Sequence, residues 1–206
     1  MYILFNGKEA ITGSMDVFLI PNLKFMTIEE QRYPIGQCVY PDMYTPELIQ
    51  QYTLDIETFP LRLENVVQHL DADQLQARYR EGGWTINQVI HHCADSHMNA
   101  VLRIKLALTE DDPSVNPYKE ERWAETADYE LPFNNSVTLL YALHRKLISL
   151  LASLTEEQLS MTYYHSQYRR SYSIRDVMCL YAWHGNHHLA HIRNAMRAFD
   201  NKASQA

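Results

Sequence analysis

The chain has 206 residues, enough for one domain, and its 46% apolar content supports a real core. A formal charge of −7, with basic residues scattered rather than massed, argues against a nucleic-acid footprint. No apolar run approaches the roughly 18 residues of a membrane span, no basic and apolar leader opens the chain, and three widely spaced cysteines fit reduced thiols in a cytoplasmic protein.

Residues 1–31 hold two short apolar runs, Met1–Phe5 and Val17–Ile20, and an alternative start at Met26. They are set apart as an extension without readable function. One domain is expected over 32–200, with a polar tail at 201–206. Residues 33–44, containing Pro34, Gly36 and Pro41, read as an extended arm wrapping that domain. A first helix opens at Thr45–Pro46, where Thr caps and Pro suits the first turn. Ile49, Tyr52, Ile56, Leu63, Val66, Val67 and Leu70 carry it on, and Pro60 is predicted to kink or split it.

Gly82-Gly83 and the capping box Thr85-x-x-Gln88 start a second helix that ends near Leu108, before Asp111-Asp112-Pro113. Residues 111–132 carry three prolines and no period, so a long ordered loop covering a site is expected there. Val137, Leu140, Tyr141, Leu147, Ile148, Leu151 and Leu154 mark an amphipathic third helix. A turn or small hairpin is expected within 155–172. The fourth helix opens at Ser173-x-x-Asp176 and runs to about Phe199, after which the chain should fray. The whole reads as an all-α four-helix bundle.

The fourth helix concentrates the chemistry. His184, His187, His188 and His191 occupy one stretch of eight positions. Neutral imidazole is the commonest side-chain metal ligand, and two rings one turn apart make half of a transition-metal site. Turned about 100° per residue, His188 lies at about 40° from His184, within the sector of Val177, Tyr181, Ile192, Ala195 and Phe199. His184 and His188 are therefore the preferred pair. His191 lies just behind, to orient a ligand or face substrate, and His187 falls at the edge. A third ligand should come from His91-His92-Cys93-Ala94-Asp95-Ser96-His97 on the second helix. Period drops His91 and leaves His92 and His97 tied.

Two segments also resemble a known family. Gly82-Gly83-Trp84-Thr85-Ile86-Asn87-Gln88-Val89-Ile90-His91-His92-Cys93-Ala94-Asp95-Ser96-His97 is similar to the second-helix signature of the DinB-like superfamily, in its YfiT-like branch. Tyr181-Ala182-Trp183-His184-Gly185-Asn186-His187-His188-Leu189-Ala190-His191-Ile192 resembles that branch's fourth-helix signature. The likeness spans about residues 32–199 and leaves the first 31 without implied function. It implies a cytoplasmic bacterial four-helix bundle, dimeric in this branch, binding zinc or nickel through three histidines. Position by position these are His92, His184 and His188. The branch is described as metal-dependent hydrolases, and related members transfer bacillithiol, mycothiol or glutathione.

Three imidazoles leave a metal an exchangeable position, the arrangement of catalytic sites. Such a metal activates a bound water for hydrolysis or holds a small thiol as thiolate for attack on an electrophile. No H-E-x-x-H is present, which tilts the reading toward transfer of a bacillithiol-type thiol. A hydrolase and a non-enzymatic metal-binding stress protein are the alternatives. Asp95, three residues after His92, is a candidate to orient an imidazole, and Asp176 reads as the capping acid. Trp84, Trp123, Trp183, Tyr164, Tyr168 and Tyr181 are candidates to line a substrate pocket, with His191. Arg80, Arg169 and Arg170 are candidates to hold a thiol's carboxylates.

Overall fold

The computed structural model describes residues 27–204. The two apolar runs and Met26 lie outside this range. Thr27 and Glu30 form a capping box that starts the short helix α1, Ile28–Arg32. The expected junction after residue 31 therefore falls inside a helix. The arm from Tyr33 follows without regular structure, and the Trp183 Nε1–H donates to its Gly36 carbonyl at 3.1 Å.

Four long helices form the bundle: α2, Pro46–Val67; α4, Ile86–Thr109; α6, Asn134–Leu151; and α8, Ile174–Ala203. Between them lie the single turns α3, Ala72–Leu75, α5, Glu120–Trp123, and α7, Glu156–Leu159. The capping boxes at Thr85–Gln88 and Ser173–Asp176 are both formed. The extensive helix contacts are α2 with α6 and α8, and α4 with α6 and α8. Consecutive helices α2 and α4 thus stand at opposite corners, as do α6 and α8.

The loop after α4 contains β1, Ser114–Val115, α5 and a 3₁₀ turn at Ala127–Glu130. The expected hairpin is β2, Thr162–His165, with β3, Arg170–Ser173, paired antiparallel. β1 adds to β2 in parallel, giving the sheet order β1-β2-β3. This pairing across 50 residues of sequence carries no local signal. The fourth helix also outruns Phe199, staying helical to Ala203. Among the described residues, no helix is long and apolar enough to cross a membrane.

Pro60 neither splits α2 nor leaves a buried carbonyl bare. Proline lacks the N–H that would bond the carbonyl four residues back, here Ile56. The His144 Nδ1 takes that carbonyl instead, at 2.6 Å, and the Arg62 guanidinium donates to the Asp55 carbonyl at 2.8 Å. Replacement partners from outside the ladder let the helix continue.

The core is divided. One apolar cluster includes Ile56, Ala100, Leu147 and Tyr181, and a second includes Phe59, Cys93, Leu140 and Leu189. On each long helix the changeover falls at the same level, and His97, His144, His184 and His188 occupy it. Burying polar rings there is tolerable only if each finds partners.

Candidate metal centre

His92 from α4 and His184 and His188 from α8 meet where these two helices pack, each offering a nitrogen within 4.8 Å of the others. The His92 and His184 Nε2 atoms are 3.2 Å apart. Two nitrogens bound to one tetrahedral zinc, with bonds of about 2.0–2.1 Å, stand about 3.3 Å apart, so this edge fits such an ion. The donor set fits as well, because imidazole suits zinc and nickel. Burial holds the rings in the neutral form that offers a lone pair. It lowers the His92 pKa to about 3 and takes His184 and His188 well below the ordinary value.

The rings around the trio are themselves engaged. His97, fully buried, contacts His184 through its Nε2 at 3.2 Å and the His144 Nε2 through its Nδ1 at 2.8 Å. Phe59 stacks on His97 at 5.0 Å between centroids. His191 places its Nδ1 3.3 Å from the His188 Nδ1 and donates from Nε2 to the Arg32 carbonyl at 3.1 Å. Tyr79 stacks on His191 at 3.9 Å. His92 differs: its buried Nδ1 has no hydrogen-bond partner, and Trp84 leans on its ring at 4.6 Å.

The tie between His92 and His97 is thus divided by geometry, with His92 in the trio and His97 behind it. Asp95 does not orient His92. Its carboxylate accepts from the Tyr129 hydroxyl at 2.8 Å, because its position on α4 turns it toward the 3₁₀ turn. Burial raises the Asp95 pKa. His91, which period turned away from the core, is buried and bonded to the Ser136 hydroxyl and the Leu131 carbonyl. Asp176 caps α8 and accepts from the Tyr44 hydroxyl.

The trio opens onto a cavity of about 450 Å³. Of the expected lining residues, Trp84, Trp183, Tyr168, Tyr181, His191 and Arg80 border it. Tyr181 spends its hydroxyl on the Ser96 carbonyl, at 2.8 Å. Trp123 and Tyr164 do not border it: Trp123 packs on Tyr118 and Tyr164 sits in the hairpin. Arg169 is also outside, and Arg170 lies over Tyr40 and Tyr172. Sequence reasoning passed over Arg103, Tyr118, His165 and His187, all on the cavity wall. His187 stacks on Trp183 at 4.3 Å, burial lowers its pKa to about 3, and its Nδ1 lacks a partner. Only its place in the histidine-rich stretch hinted at this.

The family model of the DinB superfamily matches residues 56–192, which include all three converging histidines. The chain belongs to the DinB superfamily. This DinB-superfamily chain is 46% identical over 165 residues to a Bacillus cereus (strain 03BB102) protein named "Putative metal-dependent hydrolase", covering 80% of this chain and 95% of that protein. A protein of Bacillus thuringiensis subsp. konkukian (strain 97-27), also named "Putative metal-dependent hydrolase", matches at the same identity and coverage. Among solved structures, YfiT from Bacillus subtilis is similar, with a TM-score of 0.80 and 36% identity over 83% of this chain and 98% of YfiT. YfiT is described as "a probable metal-dependent hydrolase with an unusual four-helix bundle topology". The diagonal placement of consecutive helices in this DinB-superfamily bundle accords with that wording.

Proposed function

We propose that the protein is a metal-dependent enzyme transferring a small thiol, of the bacillithiol type, to an electrophile held in the cavity. The observation that carries this reading is the convergence of three neutral imidazoles on a cavity, with no carboxylate hydrogen-bonded to them among the described residues. A zinc or nickel ion held by His92, His184 and His188 would supply Lewis-acid activation of a thiol or a water. Binding a thiol as thiolate would release its proton to water in the cavity, and His187, held neutral by burial, stands on the cavity wall stacked against Trp183. Arg80 and Arg103 offer cationic contacts for acidic groups of a small thiol, and Trp84 and Trp183 offer flat apolar faces to an electrophile.

Hydrolysis is the second reading, and the names of the relatives favour it. A purely metal-storing protein needs a closed ligand shell. Against it, His97 and His191 spend their nitrogens on other partners, and the trio borders open volume. The enzyme reading keeps the cytoplasmic homodimer that the family resemblance implies, and light scattering in solution reads the dimer.

Elemental analysis of the purified chain, followed by activity screening, tests the proposal. About one zinc or nickel per chain is expected in the wild type, lost in His92→Ala and His188→Ala. The loaded wild type should then consume bacillithiol, cysteine or glutathione with a halonitrobenzene or bimane electrophile. Ester or amide cleavage without thiol consumption would replace transfer by hydrolysis. No stoichiometric metal after reconstitution would end both readings.

A further inference from the structure

Two of the three converging histidines are each tied to a backbone carbonyl through other imidazoles. The first chain starts at the Ile56 carbonyl that Pro60 leaves free and runs through His144 and His97 to His184, with contacts of 2.6, 2.8 and 3.2 Å. The second starts at the Arg32 carbonyl, in the last turn of α1, and runs through His191 to His188, at 3.1 and 3.3 Å. Carbonyls in a helix's last turn have no partner within the helix.

A carbonyl can only accept, and a neutral imidazole has one N–H and one lone pair. Among the described residues no carboxylate forms an ion pair with any of these rings, and burial disfavours the cation. The direction of every bond is then fixed. His144 donates from Nδ1 to Ile56, so its Nε2 accepts. His97 must donate from Nδ1, so its own Nε2 accepts. His184 donates from Nδ1, and its Nε2 is left unprotonated, with its lone pair toward the His92 Nε2 at 3.2 Å. In the second chain His191 donates from Nε2 to Arg32, its Nδ1 accepts from the His188 Nδ1, and the His188 Nε2 is left bare. His92, with no partner on Nδ1, has no such anchor.

We propose that His97, His144 and His191 are positioning residues: the two carbonyl-anchored chains hold His184 and His188 as Nδ1–H tautomers, so that both Nε2 lone pairs face a divalent cation. The inference rests on the metal reading of the trio. An outer partner of this kind fixes ligand tautomer and ring orientation, and its loss costs about 10–100-fold in metal affinity. Three buried histidines outside the trio thereby acquire a role, and Pro60 frees the carbonyl from which the first chain starts.

Two measurements test the proposal. Long-range proton–nitrogen correlation spectra of the metal-free wild type read the tautomers directly, and His184 and His188 should both be Nδ1–H. Zinc affinity by chelator competition is then compared across variants. His97→Phe keeps a flat ring against Phe59 but cannot accept from His184, and should bind zinc about 10–100-fold more weakly. His144→Phe, which touches no ligand, should weaken binding in the same direction. His97→Gln, whose amide both accepts and donates, should return affinity to within severalfold of wild type. An Nε2–H tautomer at His184 or His188, or unchanged affinity in both phenylalanine variants, would overturn the proposal. If the wild type binds no zinc, the metal reading fails and this proposal falls with it. The tautomers of the metal-free chain still report whether the hydrogen-bond chains exist.

Discussion

Replacing Gly185 with alanine would push a methyl group into the ring that supports the first histidine chain. The added Cβ would stand 2.8 Å from the Phe59 Cδ2, 3.1 Å from Cγ and 3.2 Å from Cε2. Carbon atoms in contact rest at about 3.5–4.0 Å, so ring or helix must move. Phe59 is 1% exposed and stacked on His97, so it has little room to yield. Two effects oppose each other. Alanine favours the interior of α8 over glycine by about 1 kcal/mol, whereas overfilling a packed core costs about 1–3 kcal/mol. Crowding should win, with a net loss of about 1 kcal/mol in urea unfolding of the metal-free protein. In a Phe59→Leu background the obstacle shrinks, and the same Gly185→Ala change should stabilise by up to about 1 kcal/mol. The double-mutant cycle would then show a coupling of about 2 kcal/mol. If Gly185→Ala stabilises the wild-type chain by the full propensity gain, the close approach of α2 and α8 is not as described.

Two other outcomes follow from the buried polar groups. Because Asp95 accepts from Tyr129 and not from an imidazole, Asp95→Asn should keep zinc affinity within about threefold of wild type; a tenfold loss in chelator competition would restore its orienting role. Acid stability should report His144, whose pKa burial lowers to about 4. Its unfolded-state value is about 6.5, so between those pH values the unfolded chain binds more protons and stability falls with pH. The contribution is full above pH 6.5 and lost as pH falls toward 4. From pH 7 to 5 the metal-free wild type should therefore lose about 2 kcal/mol more than His144→Phe in urea unfolding. Equal losses would mean that His144 titrates normally.

The parts of this architecture that were legible in the sequence are those set by neighbours a turn apart. Thr85 with Gln88 and Ser173 with Asp176 mark helix starts because each cap spans three residues. His184 and His188 share a face for the same reason. The choice between His92 and His97 was illegible to period, since both rings are buried and the partner that separates them lies on α8. The resemblance selected His92 by motif, where periodicity had nothing to add. His144 drew no notice as a single histidine in a leucine-rich helix. Its role depends on Pro60, 84 positions away in the chain, and no local pattern joins the two. Pro60 itself misled in the opposite direction, because its helix-breaking tendency is answered by His144 from α6 and by Arg62 two residues on. Asp95 was misplaced because its carboxylate is engaged by the Tyr129 hydroxyl, from a turn 34 positions further along the chain.

The cavity wall and its floor come from different kinds of chain. The three converging histidines stand on the rods α4 and α8, while Tyr33, Tyr118, Glu120, Gln167 and Tyr168 of the wall come from the arm, the long loop and the hairpin turn. Loop and hairpin are stitched together by backbone bonds from Tyr164 N–H to the Pro113 carbonyl and from Ser166 N–H to the Val115 carbonyl. Such bonds are indifferent to side-chain identity, and surface connections accept substitution more readily than packed helices. The guest list of the cavity can therefore be rewritten, residue by residue along this wall, while the helices that carry the three histidines keep their register.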